Sequence, residues 1–170
     1  MSKAGLFEGQ RFELIHGDLI DKMGQKPPHA SAIQLCMAVL VKVFGVDLVR
    51  VQLPVEAGAV DRERSLPEPD LAVLVEARRD FAQRHPDGRE LALVVEVADT
   101  TLRHDAQTKR DLYARAGVPE YWVLDLNGRR LIAHQRLDVA ICEYVGIQSY
   151  AEHEAVLLAE QPIDISALPP

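Results

Sequence analysis

The chain has 170 residues, enough to bury a core and within the usual size of one domain, so 1–170 is expected to form a single domain. Hydrophobic residues make up 48% and charged residues 26%, which excludes disordered, collagen-like and disulfide-dense classes. A formal charge of -7 argues against a generally basic nucleic-acid coat but leaves room for a local basic groove, because phosphate affinity depends on the charges at the contact.

The start, Met1 to Leu6, has no apolar signal core, and strictly apolar runs such as Cys36 to Val41 are too short to cross a membrane. The only cysteines, Cys36 and Cys142, lie in apolar stretches and read as two buried free thiols. They fit a reducing cytosol, so a cytoplasmic protein with no membrane association is expected.

In chain order, Arg11 to Ile15, His16-Gly17 and Asp18 to Ile20 predict a hairpin with a two-residue turn. Pro27-Pro28 break the chain before a helix over about His29 to Phe44, where Ile33, Cys36, Met37, Leu40 and Phe44 recur at helical spacing. Val49, Val51, Leu53 and Val55 alternate with polar residues and proline, predicting a half-buried strand. A polar linker, Asp61 to Ser65, leads to a second strand over Asp70 to Val75. A charged helical turn and loop then end at Pro86-Asp87-Gly88. Leu91 to Val97 is a near-continuous apolar run, as in a central strand covered on both faces.

Asp99-Thr100-Thr101 offers capping chemistry for a second helix reaching about Ala116, stopped by Gly117 and Pro119. Tyr121 to Leu126 predicts a strand, Asn127-Gly128 a hairpin turn, and Arg129 to Arg136 the return. Weaker β material follows, with a loose tail over 146–170. The fold class expected is α/β (α+β): a mixed sheet flanked by helices, with a hairpin at the N-terminus and a β extension at the C-terminus.

Three side chains interrupt this pattern. Asp70 opens a strand directly after a proline. Glu96 lies in the most apolar strand, on the parity of Ala92, Val94 and Ala98, where an isolated buried carboxylate would cost several kcal/mol or more. Lys109 falls in the apolar stripe of Leu102, Ala106, Tyr113 and Ala116. An inward ammonium needs carboxylate partners, and at 4 Å a pair gains roughly 4 kcal/mol before desolvation. Lys109 is therefore expected to point at Asp70 and Glu96. Two acids and an amine suit phosphodiester hydrolysis: carboxylates take a hard cation, which polarises the phosphoryl oxygen and activates water, and an amine orients that water or balances charge.

The bland alternatives are a strand-entry aspartate, a solvated strand-end acid, and a lysine that either snorkels to water or pairs i, i+4 with Asp105. Glu13, His29 and Gln52 are secondary cleft candidates, each with an ordinary hairpin, helix-rim or strand-surface explanation. Tyr113, Tyr121 and Trp122 read as core. Arg103, Arg110 and Arg115 read equally as phosphate contacts or a solvated face. No phosphate-cradling glycine loop, dinucleotide fingerprint, nucleophile elbow or zinc spacing occurs.

Glu13-Leu14-Ile15-His16-Gly17-Asp18-Leu19, Pro67-Glu68-Pro69-Asp70-Leu71, Val94-Val95-Glu96-Val97, Asp105 with Lys109, and Tyr113 through Asp125 together resemble the Uma-two family of restriction-endonuclease-like proteins, within the PD-(D/E)XK nuclease superfamily. The resemblance spans roughly Phe7 to Val145. It implies a restriction-endonuclease-like fold with Asp70, Glu96 and the backbone carbonyl of Val97 as ligands of Mg²⁺ or Mn²⁺, and Lys109 as the catalytic amine. The superfamily's usual lysine position, two residues after the second acid, holds Ala98 here, and the resemblance moves the lysine to the following helix. The function implied is metal-dependent cleavage of DNA, with a homodimer plausible because a duplex needs two cuts. The rival expectations are a non-catalytic nucleic-acid- or protein-binding module and a hydrolase of another phosphoester.

Overall fold

The computed structural model describes residues 12–22 and 26–169. The readings on Met1 to Leu6, on Phe7, on Arg11 and on Pro170 lie outside the described residues.

The chain begins with the expected hairpin, β1 (Phe12–Ile15) and β2 (Asp18–Asp21), in which Ile15 pairs with Asp18. Its two turn residues, His16 and Gly17, both have positive φ (52° and 93°), the geometry that matches the right-handed twist of the flanking strands. Helix α1 (Pro27–Phe44) starts two residues earlier than predicted. Pro27 and Pro28 sit inside its first turn, where a missing N–H removes no helical bond.

Helix α1 buries Ala32, Ile33, Cys36 and Leu40; Met37, expected on that face, is exposed. By length and composition alone α1 is apolar enough to cross a membrane, and here its buried side packs on the sheet.

A six-stranded sheet runs in the order β3-β4-β5-β6-β7-β8: β3 (Val49–Val51), β4 (Leu71–Leu74), β5 (Leu91–Ala98), β6 (Tyr121–Asp125), β7 (Arg130–Asp138) and β8 (Glu143–Ala151). Only β5 and β6 pair in parallel, so the sheet is mixed, as expected. Strand β5 is buried on both faces. Leu93, Val95 and Val97 pack with α1, whereas Val94 and Ala98 pack with Tyr113, Ala114 and Ala116 of α2 (Arg110–Ala116). Burying each such aliphatic side chain contributes about 1.5–3 kcal/mol.

Three predicted elements differ. Strand β3 stops at Val51, because Gln52 has φ 50° and turns the chain away. The second helix is preceded without a break by a π-helical turn, His104–Lys109. Its wider turn advances the inward face, so Asp105 is buried and Ala106 is only partly covered. Thr101 does not cap a backbone N–H among the described residues; its hydroxyl donates to Asp105 Oδ2 at 2.5 Å.

The helix ends as predicted: Gly117 is left-handed (φ 88°), and the Val118→Tyr113 and Gly117→Ala114 bonds close a Schellman motif. The Asn127-Gly128 hairpin also forms. Its loop is four residues long, with Arg129 rather than Gly128 at positive φ and the Gly128 N–H held by Asp125 Oδ1.

The supposed loose tail is a correction. Strands β9 (Ala155–Leu158) and β10 (Gln161–Asp164) form a hairpin, and Val156, Leu158, Ile163, Ile165 and Leu168 join Ile33, Cys36 and Leu40 in the core. The polar linker is also built in: Asp61 and Ser65 are buried, and Ser65 Oγ accepts the His16 N–H. Cys36 is buried as expected. Cys142 is only partly covered, in a turn with φ 55°.

Candidate active site

The β4–β5 register pairs Leu71 with Val95 and Ala72 with Val94. Continued by one step, it sets Asp70 across from Glu96. Pro69 leads into this position, and the carboxylate of Asp70 is fixed there by the Val97 N–H, 2.9 Å from Oδ2. Glu96 takes the α2 side of β5, as its parity predicted. Its Oε1 accepts both Lys109 Nζ and the Tyr113 hydroxyl, each at 2.9 Å. Asp70 and Glu96 line one open cleft of about 210 Å³, together with Glu13, Lys22, His29, Val97, Asp99, His104 and Lys109, among others.

Lys109 is inward, but one of its expected partners is different. Its ammonium lies 2.8 Å from Glu13 Oε1, 2.9 Å from Glu96 Oε1 and 3.9 Å from Asp105 Oδ1. Asp70 is instead neutralised by other side chains of the cleft. His29 Nε2 stands 3.4 Å from Oδ2, Lys22 Nζ 3.8 Å from Oδ1, and Gln52 Nε2 3.5 Å from Oδ1.

All three secondary candidates therefore reach the cleft acids or their lysine. Glu13 is 4% exposed, and its other oxygen accepts the Glu68 N–H. The positive φ of Gln52, which ends β3, places its amide beside Asp70. Tyr121 and Trp122 are core, as read. Arg115 pairs with Asp61 at 2.7 Å and Arg110 with Asp111, while Arg103 remains on an exposed face.

The electrostatics separate the two acids. Burial pulls Asp70 upward, but the hydrogen bond from His29, the charges of Lys22 and His29 and the Val97 N–H outweigh it and hold the carboxyl down at about 2. The same Asp70 contact raises His29. Burial pushes Glu96 up to about 8, against the lowering pull of Lys109 and Lys22. Desolvation works against the Lys109 ammonium, yet Glu96, Glu13 and Asp105 raise it and keep it charged. One ammonium facing three carboxylates leaves the group with surplus negative charge, and retaining a proton on Glu96 relieves it.

Among the described residues, no three His, Cys, Asp or Glu side chains form a group able to hold a metal ion. A magnesium-type site needs only one or two carboxylates and keeps several waters. The donors fit that requirement: both protein donors to Glu96 fall on Oε1, and Oε2 receives none among the described residues. Surplus negative charge beside that oxygen favours a cation. Val97 borders the cleft through its N–H on Asp70, and its carbonyl, implied as a ligand by the resemblance, faces His29 and helps to raise it.

Sequence reasoning missed Lys22, because nothing in the pattern of β2 marks it. It also treated Tyr113 as core alone, although its fully buried hydroxyl anchors Glu96.

No curated protein shows detectable sequence similarity to this chain. Its backbone superposes on the crystal structure of "a putative nuclease belonging to DUF820" from Anabaena variabilis with a TM-score of 0.71, covering 92% of this chain and 88% of that one at 14% identity. That likeness shows the nuclease-like fold. Residues 5–166 match the model of the Uma2 family, described as "Putative restriction endonuclease", and the chain belongs to that family.

Proposed function

We propose that this protein is a divalent-cation-dependent phosphodiesterase acting on DNA. One observation carries the proposal: Asp70 and Glu96, from neighbouring strands, share a cleft in which Glu96 Oε2 has no protein donor among the described residues. Asp70 and Glu96 would hold Mg²⁺ or Mn²⁺, which when bound supplies Lewis-acid polarisation of a phosphoryl oxygen and a lowered pKa for bound water.

The chain's own groups do the rest. Lys109 and Tyr113 fix the rotamer of Glu96 by occupying one oxygen. The Val97 N–H and His29 fix Asp70 and keep it ionised. Glu13 ties the N-terminal hairpin to Lys109 and so closes one wall. Two unpaired thiols, Cys36 and Cys142, support a reducing, cytoplasmic setting. A homodimer would place two such clefts on one duplex.

The test is nicking of supercoiled plasmid with Mg²⁺ or Mn²⁺, by wild type and by Glu96→Gln and Asp70→Asn variants whose far-UV circular dichroism matches wild type. Cleavage by wild type alone is expected. Binding of DNA with no cleavage under either ion would make the protein a binding module instead. Turnover of a small phosphodiester but not of DNA would place the same site in another phosphoesterase.

A further inference from the structure

We infer that Lys22, and not Lys109, is the ammonium that contacts the substrate phosphate, with Lys109 acting only as a positioning residue for Glu96 and Glu13. This role presupposes the phosphodiesterase activity proposed above. Lys109 is the amine that spacing and family resemblance both select, yet its geometry is closed. Its side chain is 3% exposed, and its three donors face three carboxylates, two of them within 2.9 Å. Turning toward a phosphate would break two buried, charge-assisted bonds and strand two acids.

Lys22 is placed differently. It follows β2 and lines the same cleft, and its side chain is 11% exposed. Among the described residues its ammonium makes one hydrogen bond, to the Glu68 carbonyl, and stands 3.8 Å from Asp70 Oδ1, too far for a second. An ammonium carries three donors, so it retains capacity for another acceptor in the cleft. A phosphate oxygen approaching Asp70 would come within reach of this ammonium, 3.8 Å from Oδ1. The partner chemistry is thus a phosphodiester anion, bound as a point charge by Lys22 while Asp70 and Glu96 face it from the cleft floor.

The experiment measures binding separately from cleavage. Fluorescence anisotropy of a labelled 20-base-pair duplex is recorded against salt, with Ca²⁺ and again with EDTA, and cleavage is followed in Mg²⁺. Lys22→Gln is expected to reduce the salt slope by about one phosphate contact, roughly 0.9 in log–log units. It should also slow cleavage on the order of 10²-fold. Lys22→Arg should keep the slope, which separates charge from fold. Lys109→Gln should leave the slope unchanged whatever it does to cleavage.

An unchanged slope and rate in Lys22→Gln, with wild type cleaving normally, overturns the role of Lys22 alone. A slope that falls in Lys109→Gln but not in Lys22→Gln reverses the assignment. A wild type that neither binds nor cuts the duplex overturns the phosphodiesterase proposal itself.

Discussion

Lys109 donates to Glu96 across 2.9 Å with both side chains 3% exposed, and this bond joins the turn before α2 to the central strand β5. Glu13 brings the N-terminal hairpin to the same ammonium at 2.8 Å, so one lysine holds together three separate parts of the chain. Removing one member of a buried charged group leaves the others uncompensated, which costs about 3–5 kcal/mol. Lys109→Met is therefore expected to lose about that much in urea unfolding. Adding Glu13→Gln should restore part of it, because the carboxylate stranded by the loss of the ammonium is gone. A single variant as stable as wild type would contradict the cluster.

Glu96 sets a slope in stability against pH. In the folded chain it keeps its proton up to about 8, whereas the unfolded chain releases it near 4.5. Below 4.5 both states are protonated and Glu96 is neutral to the balance. Between 4.5 and about 8 the unfolded chain gains by ionising, so stability falls as pH rises. Asp70 acts oppositely. Held at about 2 against an ordinary 3.8, it stabilises above 3.8, and that contribution disappears as pH falls through about 2. Glu96→Gln should flatten the decline between pH 5 and 8 in urea melts and leave the acid limb intact. Equal slopes for wild type and variant in that window would show that Glu96 is not the titrating group.

In the proposed site, a cation would have to displace the proton on Glu96, since only the carboxylate is a ligand. Titrating metal-free protein with Mg²⁺ or Mn²⁺ at pH 7 is expected to release protons and raise the melting temperature. The stabilisation should reach about 2.7 kcal/mol at a hundred times the dissociation constant. Calorimetry in two buffers of different ionisation enthalpy reads the protons directly. Asp70→Asn and Glu96→Gln should each abolish the gain. A gain that survives both substitutions would place the ion elsewhere.

The parts of the site that a sequence reveals are those that violate a local pattern. Glu96 stands out because every neighbour in β5 is apolar, and Lys109 because it interrupts a helical stripe. Lys22 violates nothing: it lies in a polar stretch at the end of β2, and only the docking of the hairpin carries it to Asp70. The same docking, a tertiary event with no local signature, explains why Glu13 rather than Asp70 completes the shell of Lys109. Tyr113 was legible as core because its ring is buried, but a ring's burial does not disclose what its hydroxyl meets. The π-helical turn was hidden as well, since apolar spacing assumes 3.6 residues per turn and a wider turn moves Asp105 inward. Strands and the second helix's stop were readable where period and turn chemistry agreed, as at Gly117 and in β5.

The C-terminal segment is the sharpest contrast with its sequence, because short alternating stretches broken by polar residues resemble an unpacked tail. In the fold, Leu168 is 2% exposed and borders one small internal cavity with Cys36 and Leu40 of α1, Val95 of β5 and Trp122 of β6, while Ile165 is fully buried. Cys36 Sγ lies 3.9 Å from the Leu168 carbonyl, tying the last turn to the first helix. Truncating such a side chain removes its transfer free energy and leaves a cavity, so Leu168→Ala is expected to cost about 2–5 kcal/mol. Urea unfolding followed by far-UV circular dichroism measures it. A surface substitution would fall within about 0.5 kcal/mol, and a change that small would mean that the last residues do not close the core.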